Sequence, residues 1–339
     1  MWEIITEVAA SKLLEKALDP LMDRWGNQDA AISAVSAKDP KVAILDHLRV
    51  VHRWANEISF RDLRKPRQLH RSFVNLDLHL GPPSLPNARA EREVKVSDLV
   101  AFRHNLVILG DPGAGKTTSL QRIALGLLGS SPDRLPMVLL IRLRDYADVD
   151  SFPTILLHTL GIVARFDDTV PEQHRATLER QYALRHVDGL GFTVLIDGLD
   201  EMRPGPREKI VADLRFFFQS SLRTRYLLTC RKGDYRYHLE NARALTILPL
   251  STEQIEEFAT LWLGPERNKA FLNQIRNSPY SGSEVRPLTL AHLCALYEQS
   301  GRIPERPRTI YRKIVRLLLE EWDEQRSVHR VSSYSNFRG

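Results

Sequence analysis

Residues 106–120 read Leu-Val-Ile-Leu-Gly-Asp-Pro-Gly-Ala-Gly-Lys-Thr-Thr-Ser-Leu, an apolar run followed by a glycine-rich turn and a helix-like segment. The turn matches the spacing G-x-x-x-x-G-K-[ST] from Gly110 to Thr117. Glycines at these positions let the backbone curl so that several N–H groups point at one anion. The helix expected from residue 115 directs the positive end of its dipole at the same point. The stretch therefore predicts a phosphate-binding loop, and an ordinary glycine-rich turn before a surface helix is the alternative.

The position of each residue in this loop predicts its role in nucleotide binding. The ammonium group of Lys116 is expected to reach the β- and γ-phosphates of a nucleotide, and the hydroxyl of Thr117 is expected to hold Mg²⁺. The predicted nucleotide-binding residues of this loop are Gly110, Asp111, Pro112, Gly113, Ala114, Gly115, Lys116, Thr117 and Thr118.

A second motif, Thr-Val-Leu-Ile-Asp-Gly-Leu-Asp-Glu, occupies residues 193–201. An apolar strand here delivers Asp197 to the edge of a sheet, where its carboxylate can complete the magnesium shell. Three carboxylates within five positions repel one another unless a cation lies among them. Asp200 or Glu201 is expected to orient or deprotonate an attacking water, and the sequence leaves the choice between them open. The alternative is an acidic turn after a strand.

Two further residues are weaker candidates. Arg231 follows the apolar run at 226–230, and a cation at that strand end can sense a γ-phosphate or stabilise charge in a transition state. An ordinary surface arginine is the alternative. Pro287 can abut an adenine ring, and a proline at the first position of a helix explains it equally well.

Apolar strands alternate with helices from residue 96 to residue 250, which predicts an α/β fold whose parallel sheet is covered by helices on both faces. The expected strands are 105–109, 137–142, 192–196, 225–229 and 245–249. The expected helices between them are 115–128, 151–160, 172–186 and 206–219. Ligands of such sheets bind at the carboxyl ends of the strands, where the motifs lie.

The flanking regions follow other patterns. Residues 1–95 are expected to form a mostly helical region of unknown role, with helices at 2–25 and 40–58 and an extended segment at 73–80. Residues 251–324 are expected to form a helical domain, with helices at 252–263, 266–276, 287–299 and 308–324. Residues 325–339 are a tail or the start of a further domain.

The composition of the chain limits which compartments and partners are expected for it. The 339 residues carry two cysteines, Cys230 and Cys294, without metal-ligand spacing, which favours a reducing compartment and a cytoplasmic location. No apolar run is long enough to span a membrane. The formal net charge of +6 does not by itself predict nucleic-acid binding. Basic clusters at 61–71 and 302–316 leave a weakly supported nucleic-acid partner open.

These motifs together resemble the NACHT family of STAND P-loop NTPases. The resemblance covers about residues 96–324 and rests on the phosphate-binding loop at 110–118, the acidic motif at 197–201, the strand end at 228–231 and the segment Arg286-Pro287-Leu288. It implies a nucleotide-binding domain at 96–250 and a switch between ADP-bound and ATP-bound states. The family usually continues into a winged-helix domain and a repeat sensor, so the resemblance implies a chain truncated before both.

The expected function is an ATP-binding switch with slow hydrolysis, which acts in signalling or innate immunity, including defence against phage, through nucleotide-dependent oligomerisation. Its expected cofactors are ATP or ADP and Mg²⁺, and its expected partners are further copies of the chain or a missing sensor or effector. The alternatives are a motor or remodelling ATPase of AAA-like kind and a nucleic-acid-binding regulator.

Overall fold

The computed structural model describes residues 32–36, 40–58, 67–69, 72–81, 93–129, 137–278 and 285–303. The helices predicted at 2–25 and 308–324, the tail at 325–339 and most of both basic clusters lie outside these ranges. The chain divides into two compact units. The first comprises Met1–Asp111 and Gly115–Leu248, and the second comprises Pro112–Ala114 and Pro249–Gly339.

A seven-stranded sheet forms the centre of the first unit, in the order β5-β4-β11-β6-β10-β9-β7. From β11 to β7 all neighbours are parallel, whereas β4 pairs antiparallel with both β11 and β5. The strands are β4 (Asp77–Leu80), β5 (Glu93–Lys95), β6 (Asn105–Gly110), β7 (Val138–Arg142), β9 (Thr193–Asp197), β10 (Arg225–Arg231) and β11 (Ala242–Ile247).

Two short antiparallel pairs were not predicted. β1 (Ile32–Ser36) pairs with β8 (Ile162–Phe166), and β2 (Glu57–Ile58) pairs with β3 (Arg67–Gln68). The segment predicted as extended at 73–80 contains β4, which the structure places in the central sheet.

The central strands are buried because both faces of a parallel sheet are covered. Val194, Leu195 and Ile196 of β9 are fully buried, as are Leu227 and Leu228 of β10. Continuous apolar runs of this kind suit strands with helices on each side, so the predicted α/β class is confirmed.

In the described part of the first unit, five α-helices connect or cover these strands. They are α1 (Pro40–Asn56), α2 (Lys116–Gly129), α3 (Phe152–Thr159), α4 (Glu172–Leu190) and α5 (Pro204–Ser220). All five were predicted, with bounds that differ by a few residues. α4 extends four residues beyond its predicted end and stops at Gly191, whose φ of 65° is left-handed and suits glycine.

Three hydrogen bonds that involve the side chains of His47 and Gln121 connect α1 and the residue after it to β7 and α2. The backbone N–H of Leu140 in β7 donates to Nε2 of His47 at 2.9 Å. Gln121 of α2 is buried, and its Nε2 donates to the carbonyl oxygens of Trp54 at 2.7 Å and Glu57 at 2.8 Å. These bonds satisfy a backbone donor at a sheet edge and carbonyls at a helix end, groups that otherwise lack partners.

The second unit contains α6 (Thr252–Leu263), α7 (Pro265–Arg276) and α8 (Pro287–Ser300). α6 begins with the capping box that the sequence predicts, in which Ser251 and Gln254 exchange hydrogen bonds. Phe271 and Tyr297 join α7 and α8 by an edge-to-face contact with ring centroids 5.2 Å apart. Within the described residues, no helix has the length and apolar character that crossing a membrane requires.

Candidate functional site

Three strand ends meet at one edge of the sheet. β10 lies between β6 and β9, and the parallel register sets Arg231 opposite Gly110. In the register between β9 and β7, Asp197 at the end of β9 lies opposite Arg142. Arg231 therefore lies between the glycine-rich loop and the acidic motif, which the linear sequence does not show.

The glycine-rich loop takes the backbone shape that its sequence demands. Gly113 and Gly115 have φ values of 76° and 96°, in the region that residues with a Cβ rarely adopt. α2 begins directly after them at Lys116, and the N–H of Ser119 donates to the Gly115 carbonyl at 2.8 Å. A glycine-rich turn with these φ values directly before a helix is the type of backbone that binds phosphate in other proteins.

Lys116 folds back over this loop. Its Nζ donates to the carbonyl oxygens of Gly110 at 3.0 Å and Asp111 at 3.3 Å. Burial lowers the pKa of the ammonium group; the carboxylates of Asp200 and Asp197 oppose this shift, and Arg231 adds to it. An ammonium group that is hydrogen-bonded to carbonyl oxygens forms stronger hydrogen bonds with a phosphate that replaces them.

Asp197 is the centre of a small oxygen cluster. The hydroxyl of Thr117 lies 3.0 Å from its Oδ2 and 3.2 Å from its Oδ1, and the hydroxyl of Thr229 donates to Oδ1 at 2.7 Å. The N–H of Gly198 donates in turn to the Thr229 hydroxyl at 2.8 Å. Carboxylate and hydroxyl oxygens are the ligands that Mg²⁺ prefers, so Thr117 and Asp197 fit the metal of a magnesium nucleotide.

Thr229 is the site residue that sequence reasoning missed. It is fully buried in β10, two positions before Arg231, so both side chains lie on one face of the strand. A hydroxyl inside an otherwise apolar buried run was the available signal, because a buried polar group needs a partner.

Asp200 and Arg231 form a buried ion pair. Arg231 Nε lies 3.0 Å from Asp200 Oδ2, and the backbone N–H of Arg231 donates to Asp200 Oδ1 at 3.0 Å. The side chain of Asp200 is 3% exposed and that of Arg231 is 20% exposed. The sequence singled out both residues for the site but did not predict that they pair.

Glu201 is buried and lies over Gly198. A Cβ built on Gly198 would stand 2.9 Å from the Glu201 carboxyl carbon, and Gly198 has a φ of 80°. The absence of a side chain at residue 198 therefore makes room for this carboxylate.

The loop residues Pro112–Ala114 group with the second unit. Within that unit the N–H of Leu288 donates to the Gly113 carbonyl at 3.2 Å, and Arg286 Nη1 donates to the Pro112 carbonyl at 3.4 Å. Pro287 is the first residue of α8, so it has the helix-starting position that the sequence offered as an alternative. Its contact with an adenine stays a prediction.

One of the comparisons with known proteins identifies a type of domain. The family model of the NACHT domain matches residues 104–266. A search of curated proteins found no match.

Matches among solved structures have low sequence identity and low TM-scores. A STAND protein with a tetratricopeptide repeat sensor from Pyrococcus horikoshii is 13% identical, with a TM-score of 0.39, over 68% of this chain and 32% of that one. The Orc1 protein of Aeropyrum pernix, in complex with DNA, is 16% identical, with a TM-score of 0.41, over 70% and 66%. Domain III of the replication initiation protein DnaA from Thermotoga maritima is 15% identical, with a TM-score of 0.37, over 66% and 90%.

Proposed function

We propose that this chain is an ATP-binding switch that hydrolyses ATP slowly, because its residues 104–266 match the family model of the NACHT domain. The observation that carries the proposal is the direct contact between the Thr117 hydroxyl and the Asp197 carboxylate. That contact brings together the two halves of a magnesium-nucleotide site, which lie 80 residues apart in the sequence.

Each part of the site has a role in binding. The N–H groups of the loop cradle the phosphates, and Lys116 exchanges its two carbonyl partners for phosphate oxygens. Thr117 and Asp197 would hold Mg²⁺, which when bound neutralises charge on the phosphate oxygens. Pro287 is proposed to lie against the adenine.

Hydrolysis needs a group that orients water or takes its proton, and a cation near the terminal phosphate. Asp200 and Glu201 supply the carboxylates, and Arg231 supplies the cation. All three lie at the ends of β9 and β10, at the sheet edge where Gly110 begins the phosphate-binding loop.

Use of the site as a switch requires that ATP and ADP stabilise different arrangements of the protein. A nucleotide can shift such a balance only by the ratio of its affinities for the two states. Groups that touch only the terminal phosphate supply that ratio. The resemblance to NACHT proteins supports a role in signalling or innate immunity, with oligomerisation as the output, in the cytoplasm.

The first experiment identifies the nucleotide that the purified chain retains. The protein is denatured without added nucleotide, and the released compound is identified by chromatography. Retained ADP is the expected result. Lys116→Ala is expected to lose most nucleotide binding, because it removes the ammonium group that lies over the loop. Rapid turnover of added ATP by a nucleotide-free protein would instead indicate a motor ATPase.

The second experiment separates binding from hydrolysis. Glu201→Gln keeps the size of the side chain but cannot take a proton, so it is expected to bind ATP with unchanged affinity and to slow single-turnover hydrolysis by about 10²-fold or more. A wild-type hydrolysis rate in this variant would show that Glu201 is not the base.

A further inference from the structure

Thr229 joins the end of β10 to the turn after β9 through two consecutive hydrogen bonds. The N–H of Gly198 donates to its hydroxyl oxygen at 2.8 Å, and the hydroxyl donates to Asp197 Oδ1 at 2.7 Å. A backbone N–H can only donate, so the single proton of the hydroxyl is left for the carboxylate. The direction of both bonds is therefore fixed, at a side chain that is fully buried.

The two oxygens of Asp197 have different partners as a result. The Thr117 hydroxyl lies 3.0 Å from Oδ2 and 3.2 Å from Oδ1, and it has one proton to donate. Oδ1 already accepts the proton of Thr229, so Oδ2, the nearer oxygen, is the partner of Thr117. Rotation about the bond between the Cβ and the carboxyl group of an aspartate is otherwise only weakly restricted. Thr229 therefore sets which oxygen of Asp197 lies toward the phosphate-binding loop.

A second buried threonine shows what a purely structural hydroxyl does near the same strand. Thr224 lies directly before β10, is buried, and donates its hydroxyl proton to the Val187 carbonyl at 2.8 Å. That bond satisfies a backbone group. The acceptor of Thr229 is instead the carboxylate that fits the metal of a magnesium nucleotide. Hydrogen bonds to a metal-ligating side chain orient it and change its affinity for the metal.

We propose that Thr229 is a positioning residue, which orients the Asp197 carboxylate so that it can help to hold the Mg²⁺ of a bound nucleotide. This inference rests on the proposed nucleotide site. It assigns the strength of the magnesium requirement to a residue of β10 that lies outside both the phosphate-binding loop and the acidic motif. Its expected consequence is that removing the Thr229 hydroxyl weakens the effect of magnesium and leaves the binding of the nucleotide itself intact.

The test measures the affinity of nucleotide-free protein for ADP by titration calorimetry, once with Mg²⁺ and once with EDTA. The ratio of the two affinities reports how well the protein holds the metal. Thr229→Val keeps the shape of the side chain but removes the hydroxyl. It is expected to lower the ratio by roughly 10- to 100-fold, the range for a lost partner of a metal ligand, with an unchanged affinity in EDTA. Thr229→Ser keeps the hydroxyl and is expected to keep the ratio.

Thr224→Val is the matched control, because it also removes a buried, hydrogen-bonded hydroxyl. It is expected to lower the thermal midpoint, as Thr229→Val does, and to leave the affinity ratio unchanged. Asp197→Ala removes the carboxylate itself. Combining it with Thr229→Val is expected to lower the ratio no further than Asp197→Ala alone, because Thr229 acts through Asp197. Thermal unfolding of each variant shows whether it is folded.

Several results would overturn the inference. A wild-type ratio in folded Thr229→Val would leave Thr229 a structural residue, and an equal loss in Thr224→Val would show that the ratio follows stability alone. If Thr229→Val does not fold, Thr229→Cys replaces it, because a thiol is a weak donor; a wild-type ratio in that variant refutes the inference. All these results leave ADP binding intact. A wild-type chain that binds no nucleotide in either condition would overturn the proposed function as well.

Discussion

Mild acid is expected to weaken the attachment of α1 to the sheet, because His47 must stay neutral to accept the N–H of Leu140. Among the described residues, β7 is the edge strand of the sheet, so no described strand pairs with this N–H. Burial lowers the pKa of His47 from 6.5 to about 4. A protonated imidazole has a donor at Nε2 in place of the acceptor.

The loss of stability on protonation of His47, and the pH range over which it occurs, follow from this pKa. The folded state holds His47 neutral more strongly than the unfolded chain does, so its contribution to stability is complete above pH 6.5. It is lost as the pH falls from 6.5 through about 4. The full shift corresponds to roughly 3 kcal/mol, and about 2 kcal/mol of this is lost by pH 5.

The assay compares wild type with His47→Gln, whose side-chain carbonyl can accept the same N–H but does not titrate. Urea unfolding at pH 7.5 and pH 5 gives the loss of stability, and hydrogen exchange of the Leu140 amide reports the bond itself. Wild type is expected to lose about 2 kcal/mol more than the variant between these pH values. His174→Gln, at an exposed histidine of α4, is the control and should behave like wild type. The reasoning is refuted if wild type and His47→Gln lose stability equally and exchange Leu140 at equal rates at pH 5.

Two further substitutions test close contacts near the site. Gly198→Ala forces a Cβ against the Glu201 carboxyl group at a φ of 80°. It is expected to lower the free energy of unfolding by about 1–2 kcal/mol and to slow single-turnover hydrolysis more than it weakens ATP binding. Equal losses of hydrolysis and of ATP binding would contradict this. Gln121→Glu replaces the amide donor that holds two carbonyls of the first unit with a carboxylate, and is expected to lower the thermal midpoint by several degrees, at about 2–4 °C per kcal/mol. An unchanged midpoint would show that water satisfies those carbonyls.

The parallel strands of the sheet could be predicted because each is a short apolar run followed by polar residues. The sequence placed the end of β10 at residue 229, but the strand continues to Arg231. The error has a physical cause, because Thr229 and Arg231 are polar and find their partners only across the sheet. A pattern of hydrophobicity cannot show a partner on another strand.

The sequence predicts where strands lie better than it predicts which strands pair. The extended segment near residue 77 was predicted, but its place beside β11 depends on a partner more than 160 residues away. β1 and β8 pair across more than 120 residues of sequence, so no local turn signal indicates that they are partners. The loop motif and the acidic motif were recognisable because each is contiguous, whereas the Asp200–Arg231 pair exists only after β9 and β10 lie side by side.

The strand β10 also limits how the length of this chain can vary. Thr229 binds Asp197 and Arg231 binds Asp200, so two contacts on alternate residues must stay in step with two aspartates three positions apart. Deleting one residue inside β10 would turn the face that carries Cys230 toward both aspartates and break both contacts at once. Insertions in the mostly exposed stretch at 232–238 leave this spacing intact. Homologous chains that keep the site should therefore differ in length after Arg231 and not between Arg225 and Arg231.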